Sequence, residues 1–109
     1  MKRAMIGLAL AAAAVVVGAA PAHADVDTDF ANELHTYGIY GQKDYNAWIA
    51  KLTCKRLDKG LDTDANKSAQ FIHMQLVKDS TTDQAWQFLG ATLRNYCPDK
   101  MSILEQAAR

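Results

Sequence analysis

Residues 81–98 read Thr-Thr-Asp-Gln-Ala-Trp-Gln-Phe-Leu-Gly-Ala-Thr-Leu-Arg-Asn-Tyr-Cys-Pro. The opening Thr81-Thr82-Asp83-Gln84 fits a capping box, in which a hydroxyl accepts from an amide at the helix start and a glutamine side chain returns the bond. Ala85, Trp86, Phe88, Leu89, Leu93 and Tyr96 carry the apolar content onward to Cys97. Pro98 lacks an amide hydrogen and clashes with the preceding turn, so it ends the helix. Working back towards the N-terminus, the same periodicity recurs. Asp62 or Thr63 caps a run in which Ala65, Ala69, Ile72 and Leu76 share a face widened by Phe71, Met74 and Val77. Asp44 caps another, whose stripe is Tyr45, Trp48, Ile49, Leu52 and Leu57, with Cys54 beside it, up to Gly60. Asp25 to Tyr37 starts with acids suited to the positive end of a helix dipole, repeats Phe30 and Leu34, and stops at Gly38. Asp99 to Arg109 forms a short closing helix or frays. No segment sustains period-two alternation. The reading is all-α: a small four-helix bundle with a short fifth C-terminal helix as an option.

The 109 residues allow one small domain and exclude a two-domain dinucleotide enzyme or a TIM barrel. Twelve basic residues balance twelve acidic ones, which is no footprint for nucleic acid. The 50% hydrophobic content is unevenly spread. Lys2 and Arg3 precede the apolar run Ala4 to Ala20, and Pro21-Ala22-His23-Ala24 follows before the acidic Asp25. This is the pattern of a secretory signal peptide, residues 1–24, cleaved between Ala24 and Asp25. The run of 17 residues is Ala-rich and shorter than the roughly 20 that span a bilayer. No cysteine lies at the cleavage site to take a lipid.

Without those 24 residues, 85 remain as a single helical domain, residues 25–109, with ten basic and twelve acidic side chains. Thirty-six of them are hydrophobic, about 42%, an ordinary share for a globular domain. A core of that size is marginal and gains from a covalent staple. Cys54 and Cys97 are the only cysteines, an even number in a chain bound for an oxidising compartment, and so are read as a disulfide. Closing a loop of 43 positions restricts the unfolded chain by about 4 kcal/mol in the entropy model. Neither a Cys-x-x-Cys nor a zinc-type Cys/His cluster accompanies them.

Phe30 and Leu34 leading to Gly38-Ile39, Cys54 before Leu57 and Gly60, and Gln84-Ala85 with Phe88 before Tyr96-Cys97-Pro98 form an ordered set behind an Ala-rich leader. In this arrangement the chain resembles the small exported mycobacterial proteins grouped as domain of unknown function 732. The resemblance covers nearly all of the chain after Ala24. It implies a helical, exported, disulfide-bearing domain and no assigned reaction. Members often carry Leu-Ser or Leu-Thr before the Gln-Ala pair; here Ser80-Thr81-Thr82 stands there and keeps the capping chemistry.

No constellation for catalysis emerges. Asp25, Asp27 and Asp29 imitate the start of a calcium loop, but Phe30 replaces the required Gly and Thr36 the closing Glu, so they read as helix-start acids. Asp58, Asp62 and Asp64 read as solvated turn and capping residues. His35 and His73 stand 38 positions apart, and no serine lies in a nucleophile-elbow context. The expectation is therefore no enzyme, no metal and no cofactor. The preferred role is a secreted or cell-envelope-associated interaction module for a protein or envelope partner, with spare aromatics among Tyr37, Tyr40, Tyr45 and Trp48 as its contact patch. It has no stable membrane span after cleavage. The alternative is a carrier of haem or lipid, with a cavity lined by His73, Met74 or Trp86. The disulfide is directly testable: alkylation of the exported protein without reductant should modify no cysteine, and two alkylated thiols in the intact mass would refute the staple.

Overall fold

The capping box read at Thr81 is formed in full: the Thr81 hydroxyl accepts from the Gln84 amide at 3.0 Å, and the Gln84 side-chain oxygen accepts from the Thr81 amide at 3.0 Å. The structure, a computed structural model, describes residues 25–108. The signal peptide and the Ala24 side of its cleavage point lie outside the described residues.

Four main helices follow in order: α1 (Val26–Thr36), α2 (Lys43–Asp58), α3 (Ala65–Gln75) and α4 (Thr82–Tyr96). After Cys97 a 3-10 turn, Pro98–Lys100, leads to a fifth helix, α5 (Ser102–Ala108). Pro98 stops the α-helical bonding as expected, yet its fixed φ suits the first position of the tighter turn. Among the described residues there is no strand. Helix α4 is the central element and packs against α1, α2 and α3. Its Phe88 meets Phe30 of α1 edge-on, with centroids 5.2 Å apart, and Tyr96 meets the same ring at 5.1 Å. Leu34, Ile49, Ile72, Leu89 and Leu93 complete the fully buried core. Cys54 and Cys97 are joined, with Cα atoms 6.0 Å apart, so the late part of α2 is tied to the end of α4.

Several local readings are corrected. Gln42, not Asp44, stands at the start of α2, and Asp44 lies inside its first turn, where its charge meets the helix dipole. Asp64 caps α3 by accepting from the Lys67 amide at 2.9 Å. Asp62, expected as solvated, is buried: its carboxylate accepts from Arg56 Nε (3.1 Å) and Nη2 (3.0 Å) and from the Ser68 hydroxyl (2.9 Å). That fork pairing compensates the buried charge and ties the end of α2 to α3. Arg56 also lies over the Phe71 ring, 4.2 Å from its centroid.

The buried face of α2 is likewise rotated from the expected stripe. Asn46, Ala47, Ile49, Ala50 and Thr53 face inward, while Tyr45 and Trp48 are exposed. Alanines let two helices approach closely, so the small residues win the interface and the rings are left outside. Leu52 and Leu57 pack half-buried against the core. Met74 and Val77, expected to widen the face of α3, are exposed as well.

Thr53 and Thr92 are both fully buried, but only Thr53 finds a partner, the Ile49 carbonyl at 2.8 Å. The Thr92 hydroxyl has none among the described residues. An unpaired buried hydroxyl costs about 1–3 kcal/mol, whereas an apolar group of the same shape costs nothing of that kind. Thr92→Val should therefore raise the urea midpoint, by about 1 kcal/mol in stability; a loss of that size would show that the hydroxyl is bonded.

Candidate functional site

The turns α1–α2 and α3–α4 meet at the end of the bundle opposite the disulfide. Gly38 (φ 77°) and Gly41 (φ 115°) let the first turn reverse within a few residues, in a backbone region that side chains disfavour. Gln84 joins the two turns. While its oxygen serves the capping box, its Nε2 donates to the carbonyls of Tyr37 (3.1 Å) and Gly38 (3.4 Å). One amide thus holds the start of α4 and the end of α1 together.

Between the turns lies a groove of about 270 Å³. Ile39 and Leu76 give it apolar walls, Tyr40 and Tyr45 border it, and Asn46, Gln75, Asp79 and Ser80 add polar groups. Asn46 is 6% exposed, and its Nδ2 donates to the Tyr40 carbonyl at 3.4 Å. The aromatic rings beside the groove are arranged in pairs. His35 lies against Tyr40, centroids 5.1 Å apart, and Tyr45 stacks on Trp48 at 5.9 Å with 25° between the planes. Tyr40 is 67% exposed, Tyr45 44% and Trp48 52%.

Three of the four aromatics expected in a contact patch are therefore brought together. Tyr37 is not among them. Its hydroxyl donates to Glu33 Oε2 at 3.0 Å and accepts from Arg94 at 3.0 Å, inside a network that links α1 to α4. Glu33 also accepts from Asn95 at 3.0 Å and pairs with Arg94. Burial pushes the Glu33 carboxyl up, but the bonds from Arg94, Asn95 and Tyr37 outweigh it and hold the group below its ordinary range. Tyr96 is sealed in the opposite sense: burial, then its 2.5 Å bond to Asp27, raises its pKa and keeps the hydroxyl protonated.

The residues considered for a carrier border two adjoining clefts, not one cavity. His73 and Trp86 border a cleft of about 200 Å³ between α3 and α4, and His73 Nε2 donates to the Ser80 carbonyl at 2.9 Å. Met74 shares an open pocket of about 420 Å³ with His73 and Gln70, and it also lies beside Leu61 and Phe71, so His73 stands between Trp86 and Met74. Asp25 caps α1 through the Thr28 amide at 3.0 Å, and Asp27 pairs with Lys51 at 3.3 Å. Among the described residues no group of three or more His, Cys, Asp or Glu is placed to hold a metal ion. Gln84 is the residue that sequence reasoning missed at this end. Its capping role was visible, but its second partners lie 46 and 47 positions away.

Residues 26–99 match the model of a family described as a protein of unknown function, DUF732. Two relatives from Mycobacterium tuberculosis, the uncharacterized proteins Rv0559c (strain H37Rv) and MT0585 (strain CDC 1551), are each 47% identical over 104 residues, or 94% of this chain and 90% of the relative. No solved structure matches the chain.

The double duty of Gln84 separates in two variants. Gln84→Ala should lose about 1–2 kcal/mol in chemical denaturation, through the cap and the abandoned carbonyls. Gln84→Glu keeps an acceptor for the Thr81 amide but has no donor for Tyr37 and Gly38. It should retain the helix start yet speed amide exchange across residues 38–42, and unchanged exchange there would show that the turn needs no clamp.

Proposed function

The chain belongs to the DUF732 family of proteins of unknown function, and from that premise we propose that it is an exported, non-catalytic interaction module which meets a partner in the cell envelope or outside the cell. Export is argued from the basic start, the apolar run to Ala20 and the Ala22-His23-Ala24 cleavage pattern. The disulfide between Cys54 and Cys97 suits an oxidising compartment. No described helix is long and apolar enough to cross a membrane, in keeping with a role that needs no anchor within residues 25–108.

One observation carries the interaction reading: Tyr40, Tyr45 and Trp48 are exposed together at an end of the bundle whose turns are held by Gln84. Aromatic rings supply large contact area with few rotatable bonds, and pre-ordered rings lose little entropy when covered. Leaving them in water costs free energy that a partner recovers. The core offers no comparable surface, because Phe30, Phe88, Leu34 and Ile72 are already covered by one another.

Expression of the full chain in a mycobacterial host tests both halves of the proposal. The protein recovered from culture filtrate or envelope should begin at Asp25, and its native mass should equal that of residues 25–109 with one disulfide and nothing else bound. Retention in the cytoplasm with residues 1–24 intact would overturn export. Stoichiometric haem or lipid in the native spectrum would replace the interaction reading with the carrier.

A further inference from the structure

The chemistry of the groove between the two turns is more selective than general stickiness. Of the residues that line it, Asp79 is the only one with a charge, and no Lys, Arg or His takes part. An anionic ligand would meet a carboxylate and find no cation. A long apolar chain would find walls at Ile39, Leu76 and Val77 but would desolvate amides, a hydroxyl and a carboxylate on the other side. At about 270 Å³ the groove is at the small end of ligand sites, room for one ring rather than an extended molecule.

The polar groups are free for a ligand. Asn46 is almost wholly buried, its amide nitrogen is engaged by the Tyr40 carbonyl, and its Oδ1 has no protein partner among the described residues. The side chains of Gln75 and Ser80 also make no hydrogen bond among the described residues. The groove thus presents a carbonyl acceptor on Asn46, a donor and acceptor on Gln75, a hydroxyl on Ser80 and a carboxylate on Asp79. A mixed set of donors and acceptors of this kind matches hydroxyl groups, each of which both donates and accepts. The rings supply the complement: Tyr40 and Tyr45 are each held by a neighbour, His35 and Trp48, so they form fixed apolar borders. A ligand with hydroxyls along its edge and C–H groups on its face fits both features.

We infer that this groove is a binding site for a neutral saccharide, one sugar ring seated against Tyr45 and Tyr40 with its hydroxyls on Asn46, Gln75, Ser80 and Asp79. The assignment rests on the interaction reading above and gives its partner a chemistry: a glycan presented outside the cell. Single-ring contact through a few hydrogen bonds, one of them to the Asp79 carboxylate, gives about millimolar affinity, and repetition of the sugar along a glycan compensates through multiple attachment.

The test is a ¹H–¹⁵N chemical-shift titration of the oxidised, exported protein with methyl glycosides of glucose, galactose, mannose and arabinose, and with maltose. At least one should move the amides of residues 38–46 and 75–80 together and leave those around Cys54 and Cys97 in place. Tyr45→Ala and Gln75→Ala alter side chains outside the buried core, so the rest of the spectrum reports that the fold is intact; each should weaken the response about tenfold. Three results would overturn the assignment: no response to any of the sugars, a response unchanged in both variants, or a response to tetramethylammonium instead that vanishes in Asp79→Asn, which would make the groove a cation site. A silent titration of a protein already found exported and bare removes the saccharide alone, whereas the interaction reading falls only on the mass and localisation measurements.

Discussion

Six consecutive residues of α4, Phe88 to Leu93, are buried, although successive helical residues point about 100° apart. Such a run is covered only if neighbours take up most of the helix circumference; Asp83, Gln87 and Arg94 remain exposed, and the Arg94 side chain covers Gly90. That single demand sets the architecture: α1, α2 and α3 stand around α4, and each needs to bury only one face. It explains why α1 can be short, since Phe30 and Leu34 are its whole fully buried contribution. It also explains the small, fully buried Ala91 in the middle of α4. The orphan hydroxyl of Thr92 is a cost of the same arrangement, a polar group on a buried face of the helix.

The bundle is fastened differently at its two ends. At one, the Cys54–Cys97 bond and the Arg56–Asp62–Ser68 cluster join α4 to α2 and α2 to α3. At the other, the Gln84 amide joins α4 to the end of α1 through hydrogen bonds alone. Local opening is governed by the weaker fastening, so the groove end is the more adjustable of the two. The rings that border the groove are stiffened by pairing instead: His35 on Tyr40 and Trp48 on Tyr45.

The features legible in the sequence were those whose partners lie within one helical turn or follow from compartment. The box at Thr81 and Gln84, the stop at Gly38, the acids at the start of α1 and the pairing of Cys54 with Cys97 are of this kind. The inner face of α2 was not, because hydrophobicity ranks Tyr45 and Trp48 above Ala47 and Ala50, while the facing helix selects for closeness of approach. Asp62 was misread for a related reason. Its partner Ser68 belongs to the next helix, and a carboxylate in a turn sequence looks solvated until Arg56 is seen folded over Phe71. At the candidate site the aromatics Tyr40, Tyr45 and Trp48 could be singled out, but the groove beside them needed the α3–α4 turn, which no local pattern places against residues 38–46.

The separation of the two ends has an evolutionary consequence. Tyr40, Tyr45, Gln75 and Asp79 stand on the groove rim outside the core cluster, which reaches the groove only through Ile39 and Leu76. Substitutions at distant sites with no shared partners add rather than interact. A lineage can therefore exchange those rim side chains without compensating changes in the core, and one helical frame can be inherited by proteins that recognise different things.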